Sequence, residues 1–134
     1  MALTHPTLSI PIGQGLESAA DLSEKVGYWG KMNSGEWDLA VGAAGSEDGI
    51  AIITDGGTAS GDPCVCHRGL VQALLGESVS VGDYVTQQES TGKTEKADDT
   101  GQRILGIATE DGESGNLCWI EVSFVYGAKA ATAA

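Results

Sequence analysis

The chain has 134 residues, enough for one domain that buries roughly two thirds of its unfolded surface. Ten Leu, eight Ile, nine Val and one Phe make only about 21% of it, close to the ~20% at which a strongly charged chain tends towards disorder. Nineteen acidic against seven basic residues leave a net charge of −12, which repels phosphate backbones and excludes nucleic acid as an expected partner.

Residues 1–25 read as an extended N-terminal arm. MALTHPTLSIPIGQGL has Pro6 and Pro11, no helical or alternating period, no basic leader and no continuous apolar run. No segment reaches the ~20 apolar residues of a membrane span, so a soluble chain with no membrane partner and no visible export sequence is expected. LESAADLSEK (16–25) has the composition for one or two helical turns.

From Tyr28 onward the pattern is β, in short apolar or alternating runs bounded by Gly, Asp, Asn or Ser. The expected strands are 27–32, 38–43, 49–54, 63–68, 70–75, 84–88, 94–97, 103–109 and 117–126. In the last of these, Cys118, Ile120, Val122, Phe124 and Tyr126 alternate with Trp119, Glu121, Ser123 and Val125, so the first set is expected to face the core. A β domain over 26–127 and a frayed tail over 128–134 complete the organisation.

GIAIITDGGTASGDPCVCHRG (49–69) and GIATEDGESGNLCWIEV (106–122) form a weak internal repeat. Both carry Gly-Ile-Ala, an acidic glycine-rich turn, Ser-Gly-Asp or Ser-Gly-Asn, one residue, and Cys. Each copy reads as strand, turn, strand. The fold class is therefore all-β, a small antiparallel β-barrel or β-sandwich with an extended N-terminal arm and at most one short helix, because closure hides the strand edges. Twenty glycines add backbone entropy to a thin core, so stability drawn from copies of the same chain or from a larger surface is expected.

Chemistry-bearing motifs are weak. Gly13-Gln14-Gly15-Leu16-Glu17-Ser18 imitates a dinucleotide fingerprint, but Ser18 replaces the third glycine and too little helix can follow. Cys64, Cys66 and Cys118, an odd number in a chain that needs no staples, point to reduced thiols in a cytosolic setting. The Cys64-x-Cys66-His67 spacing lacks the C-x₂₋₄-C turn of zinc sites, and buried free thiols are the expectation. His67 has no serine elbow to serve, and no catalytic residue is expected. The acidic loops 46–49, 54–57, 97–101 and 109–116 lack the alternating ligands of a calcium loop and read as turns that need φ > 0. No metal and no cofactor are expected.

Two resemblances bear on function. ESVSVGDYV (77–85), followed by a hairpin with Lys93 and Lys96, resembles the biotinyl and lipoyl carrier domains, although neither lysine has the flanks that their modifying ligases read. Over about residues 20–125, Asp21-Leu22-Ser23, Tyr28-Trp29-Gly30-Lys31-Met32, Asp38-Leu39-Ala40, Gly49-Ile50-Ala51, Gly61-Asp62, Val65 to Gly69, Val79-x-Val81-Gly82-Asp83-x-Val85, Gly92, Leu105-Gly106-Ile107-Ala108, Gly115 and Ile120 to Val122 form a longer pattern. That pattern is similar to the small capsid decoration, or cement, proteins of tailed bacteriophages.

The second resemblance implies a β-rich homotrimer made in the bacterial host cytoplasm and clamped on the outer capsid surface of the virion, with the major capsid protein as partner and no enzymatic activity. In that setting Leu3, Leu8, Ile10, Ile12 and Leu16 of the arm are the expected capsid contacts, since an extended segment offers main-chain hydrogen bonds and alternate side chains. Trp29, Trp37 and Trp119 are the candidate oligomer or capsid anchors, because exposed aromatics often become hot spots.

Overall fold

The computed structural model describes residues 4–13, 15–58 and 62–122, with side chains from residue 9 onward. Nine strands are formed among them: β1 (Thr4–Ile12), β2 (Trp29–Asn33), β3 (Glu36–Leu39), β4 (Ala51–Asp55), β5 (Val65–Leu74), β6 (Tyr84–Gln87), β7 (Thr94–Lys96), β8 (Gly106–Ala108) and β9 (Leu117–Val122). Every strand pairing is antiparallel, in the order β3-β2-β4-β5-β9-β8-β6-β7, with β1 lying along β5.

Local chemistry sets the turns. The β2–β3 hairpin closes between Asn33 and Glu36 through Ser34 and Gly35, both at positive φ (54° and 84°). Two central residues of that kind make the tight turn whose twist suits the flanking strands. Gly69 sits inside β5 at φ 86°. On one edge of β5 the neighbour changes there, from β4 (Ile52 opposite His67) to β9 (Val122 opposite Gly69), while β1 follows the other edge through Ser9 and Gly69. The runs 63–68 and 70–75, expected as two strands, are therefore one strand that bends at a glycine.

Curvature then brings β7, at one end of the sheet, back against the end of β5. Leu75 bridges Thr94 at the start of β7, and the Gly76 N–H donates to the Thr94 carbonyl at 2.8 Å. The result is an antiparallel, barrel-like curled sheet, the all-β class read from the sequence.

Alternation along the strands splits the core in two. Trp29, Ile52, Val71, Ala73, Leu75, Val85, Cys118, Ile120 and Val122 face the inside of the curl. Trp37, Ala51, Ile53, Cys64 and Cys66 face the opposite side, where Leu22 is buried with them and Ile12, Leu16 and Leu39 pack against the group. β4 is thus buried on both faces, which is why Ala51-Ile52-Ile53 reads as a continuous apolar run. β9 keeps one partly exposed face, and its in-out alternation holds from Leu117 to Val122 as expected. Phe124, Tyr126 and the tail 128–134 lie outside the described residues.

Segment 16–25 forms two isolated β-bridges at Glu17 and Ser18, bends and one short turn at 23–24 instead of the expected helical turns. Its backbone is committed elsewhere: Ser18 N–H donates to Asp62 O, Ala19 N–H to Trp37 O, and Leu22 N–H to Gly57 O. Those bonds pull Leu22 into the second cluster, and a regular helix would redirect the Leu22 N–H from Gly57 O to the Ser18 carbonyl.

Gly56 marks the tightest part of this contact. A Cβ there would lie 1.8 Å from the Leu22 carbonyl oxygen. Gly56→Ala therefore forces the 20–24 turn off β4 and should cost about 1–3 kcal/mol, read as a lower urea midpoint at unchanged slope.

Candidate functional site

The residues expected to make contacts separate clearly by burial. Trp29 and Trp37 have no exposed surface. They belong to the core, which corrects the expectation that they anchor a partner: a side chain closed off within its own chain has no area to offer. Trp29 Nε1 donates to Thr94 Oγ1 at 2.9 Å, and Trp37 Nε1 reaches the Gly13 carbonyl at 3.4 Å, so both indoles keep a polar partner inside. Trp119 is half-buried on β9, and its backbone N–H donates to the Glu110 carboxylate at 3.0 Å.

Among the arm residues, Leu3 and the side chain of Leu8 lie outside what is described. Ile12 and Leu16 are half-buried against the second core cluster. Ile10 points outward with 63% of its surface exposed. Within the expected arm, residues 4–12 form the strand that runs along β5.

The cysteines are free and buried. Burial pushes the Cys66 thiol up, and burial followed by the nearby Glu110 and Asp111 carboxylates raises Cys118 to about 11. His67 is half-buried, shares a 2.7 Å hydrogen bond with Thr54 Oγ1, and is lowered from its ordinary value by burial. Lys96, one of the two lysines of the carrier-like hairpin, is a strand residue of β7 paired with Val85.

Within the acidic loops expected to need φ > 0, the positive angles fall at Gly101 and Gly115. The Asp-Gly glycines instead allow close approach: a Cβ on Gly49 would lie 2.7 Å from Gln87 Oε1, and one on Gly112 would lie 2.6 Å from Leu75. Glu47 and Gln87, each 1% exposed, tie these loops down. Glu47 Oε1 accepts from the Gly45 and Arg103 N–H groups, and Gln87 Oε1 accepts from those of Asp48 and Gly49.

Sequence reasoning passed over one surface. Val79 and Val81 would share a face in a continuous strand, yet Val79 is 5% exposed and Val81 63%. A turn separates them: Asp83 N–H donates to Ser80 O at 3.0 Å, and Ser80 N–H to Asp83 Oδ2 at 2.8 Å. The Val81 N–H is held by Asp111 Oδ1 and the Gly82 N–H by Ala108 O, each at 2.8 Å. The valine is therefore fixed outward beside Tyr84, which is 46% exposed. Next to them a recess of about 220 Å³ is lined by Gly82, Asp83, Tyr84, Lys96, Ala97 and Asp98.

Carboxylates crowd this end of the molecule. Glu77 is held above its ordinary value of 4.5 by burial and then by Asp98, against an opposing contribution from Lys96, whose Nζ is 4.0 Å from Glu77 Oε1. Glu95 is raised by burial first, with Glu77, Asp98 and Asp99 adding to it and the hydrogen bond from Gln102 opposing.

No family model matches the chain, and no curated protein matches it. Among solved structures it is similar to the N-terminal base of the head fibre protein gp8.5 of bacteriophage phi29, with a TM-score of 0.56 and 16% identity over 87% of this chain and 93% of that one. At that identity the two share a fold, and the likeness covers nearly the whole of both.

The raised carboxylates set a pH dependence. Their ionised forms are disfavoured in the fold, so stability falls as pH rises through the raised values and returns as pH drops towards 4.5. His67, lowered by burial, acts oppositely below 6.5, so the comparison is between variants. Relative to wild type, Glu77→Gln and Glu95→Gln should be more stable at pH 7.5 and equal at pH 4. Both groups are largely solvated, and the combined gain should stay below about 1 kcal/mol in urea titrations.

Proposed function

We propose that this chain is a structural protein of a tailed-phage virion, carried on the outer surface of the head as a homotrimer and binding the major capsid protein across subunit boundaries. The observation that carries this reading is the fold shared over 87% of the chain with a phage head fibre base, in a sequence whose glycine and strand pattern independently resembles the capsid decoration proteins.

Physical features support it. The small sheet has two buried clusters, loops held by buried polar side chains, and outward-facing apolar residues at Ile10, Val81 and Tyr84. Such a body is a rigid block to be placed against other proteins. Its net charge of −12 suits the outside of a DNA-filled container, where it meets no phosphate. The mechanism is mechanical and has no turnover: each trimer covers seams between shell subunits and raises the free energy needed to part them under internal pressure. Such a protein gains its own stability from the same contacts by mass action.

Removing the arm is a poor test, because β1 covers one edge of β5 and Ile12 and Leu16 cover the second cluster. Ile10→Asp changes an exposed side chain of β1 and leaves the main-chain pairing with β5 in place. Wild-type protein should co-sediment with emptied, expanded phage heads at a fixed stoichiometry divisible by three, and Ile10→Asp should weaken that binding about tenfold or more. Failure of the wild-type chain to pellet with heads would remove the reading; unchanged binding of the variant would remove β1 from the contact.

A further inference from the structure

The Val81–Tyr84 turn and its recess have the construction of a docking site. Exposed valine and tyrosine side chains are held at the rim by a turn whose backbone groups are already bonded, so little entropy is lost when a partner covers them. The recess, at about 220 Å³, is smaller than the roughly 300–1,000 Å³ of small-molecule pockets and suits one inserted side chain.

Charge decides what kind of side chain. Asp83 and Asp98 line the recess, Asp111 holds the neighbouring Val81 N–H, and Glu77 lies close enough to Asp83 and Asp98 for both to raise it. Against these four carboxylates stands Lys96, which faces Glu77. The surroundings therefore hold a surplus of negative charge that an incoming cation relieves, with an aromatic ring alongside for a guanidinium plane to cover. A neutral or acidic insert would leave that repulsion in place.

We propose that this surface is a docking site for a basic segment of a protein partner, with one arginine side chain entering the recess over Tyr84 between Asp83 and Asp98 and apolar neighbours covering Val81. The proposal rests on the reading of the chain as a contact protein and specifies a surface separate from β1. Arginine fits better than lysine because it combines a planar stacking face with bidentate donors for carboxylates.

The probe is the blocked tripeptide acetyl-Gly-Arg-Gly-amide, titrated at millimolar concentration into isotopically labelled full-length protein and followed by amide shifts in NMR spectra. Acetyl-Gly-Lys-Gly-amide and acetyl-Gly-Glu-Gly-amide serve as comparisons. Saturable shifts should cluster at residues 81–84 and 96–98, larger for arginine than for lysine and absent for glutamate. Asp98→Lys should weaken the arginine peptide by at least ~10-fold, whereas Glu24→Lys, the same change in net charge at an exposed position in the 21–25 turn, should not. Shifts spread over all the acidic loops, equal loss in both variants, or no clustered shifts would overturn the proposal. Because the peptides need no phage head, that outcome is separate from a failure of the chain to bind heads.

Discussion

β5 must satisfy both of its edges and both of its faces at once, and the other strands take their places from it. β1 runs along one edge; β4 and then β9 occupy the other, changing over at Gly69. Cys66 looks into one apolar cluster and Val71 and Ala73 into the other. A one-residue slip would carry the buried Cys66, Val71 and Ala73 to the partly exposed positions between them, so the register of β5 fixes that of β4 and β9 and, through β9, of β8 and β6.

Because large aliphatics are few, the two tryptophans provide much of the core volume, one in each cluster. Their indole N–H groups need partners inside the protein, which Thr94 Oγ1 and the Gly13 carbonyl supply. The same economy appears in the loops, where Glu47 and Gln87 bridge backbone groups that a larger core would cover with side chains. Ordering these loops costs conformational entropy.

The sequence was most legible where one face is wet and the other dry. The alternation of Cys118, Ile120 and Val122 with Trp119 and Glu121 placed β9 correctly, and the paired Gly-Ile-Ala repeats marked β4 with β5 and β8 with β9. β1 was hidden because Pro6 and Pro11 read as breakers; a proline is tolerated on a strand that presents its nitrogen away from the ladder. The burial of Trp29 and Trp37 was hidden for a different reason: nothing local distinguishes a core indole from an exposed anchor, and only the depth of the clusters does. Val81 shows the reverse, an apolar residue that alternation would bury and a single tight turn turns outward.

The proposal that this protein works at its boundary with other proteins rests on its fold, its acidic composition and the exposed Ile10, Val81 and Tyr84. The most direct measurement is a cryo-electron reconstruction of phage particles assembled with and without this chain. The account predicts added density on the outside of the head, three copies to a cluster and astride the boundaries between capsid subunits. Identical reconstructions, or density confined to the interior beside the genome, would contradict it.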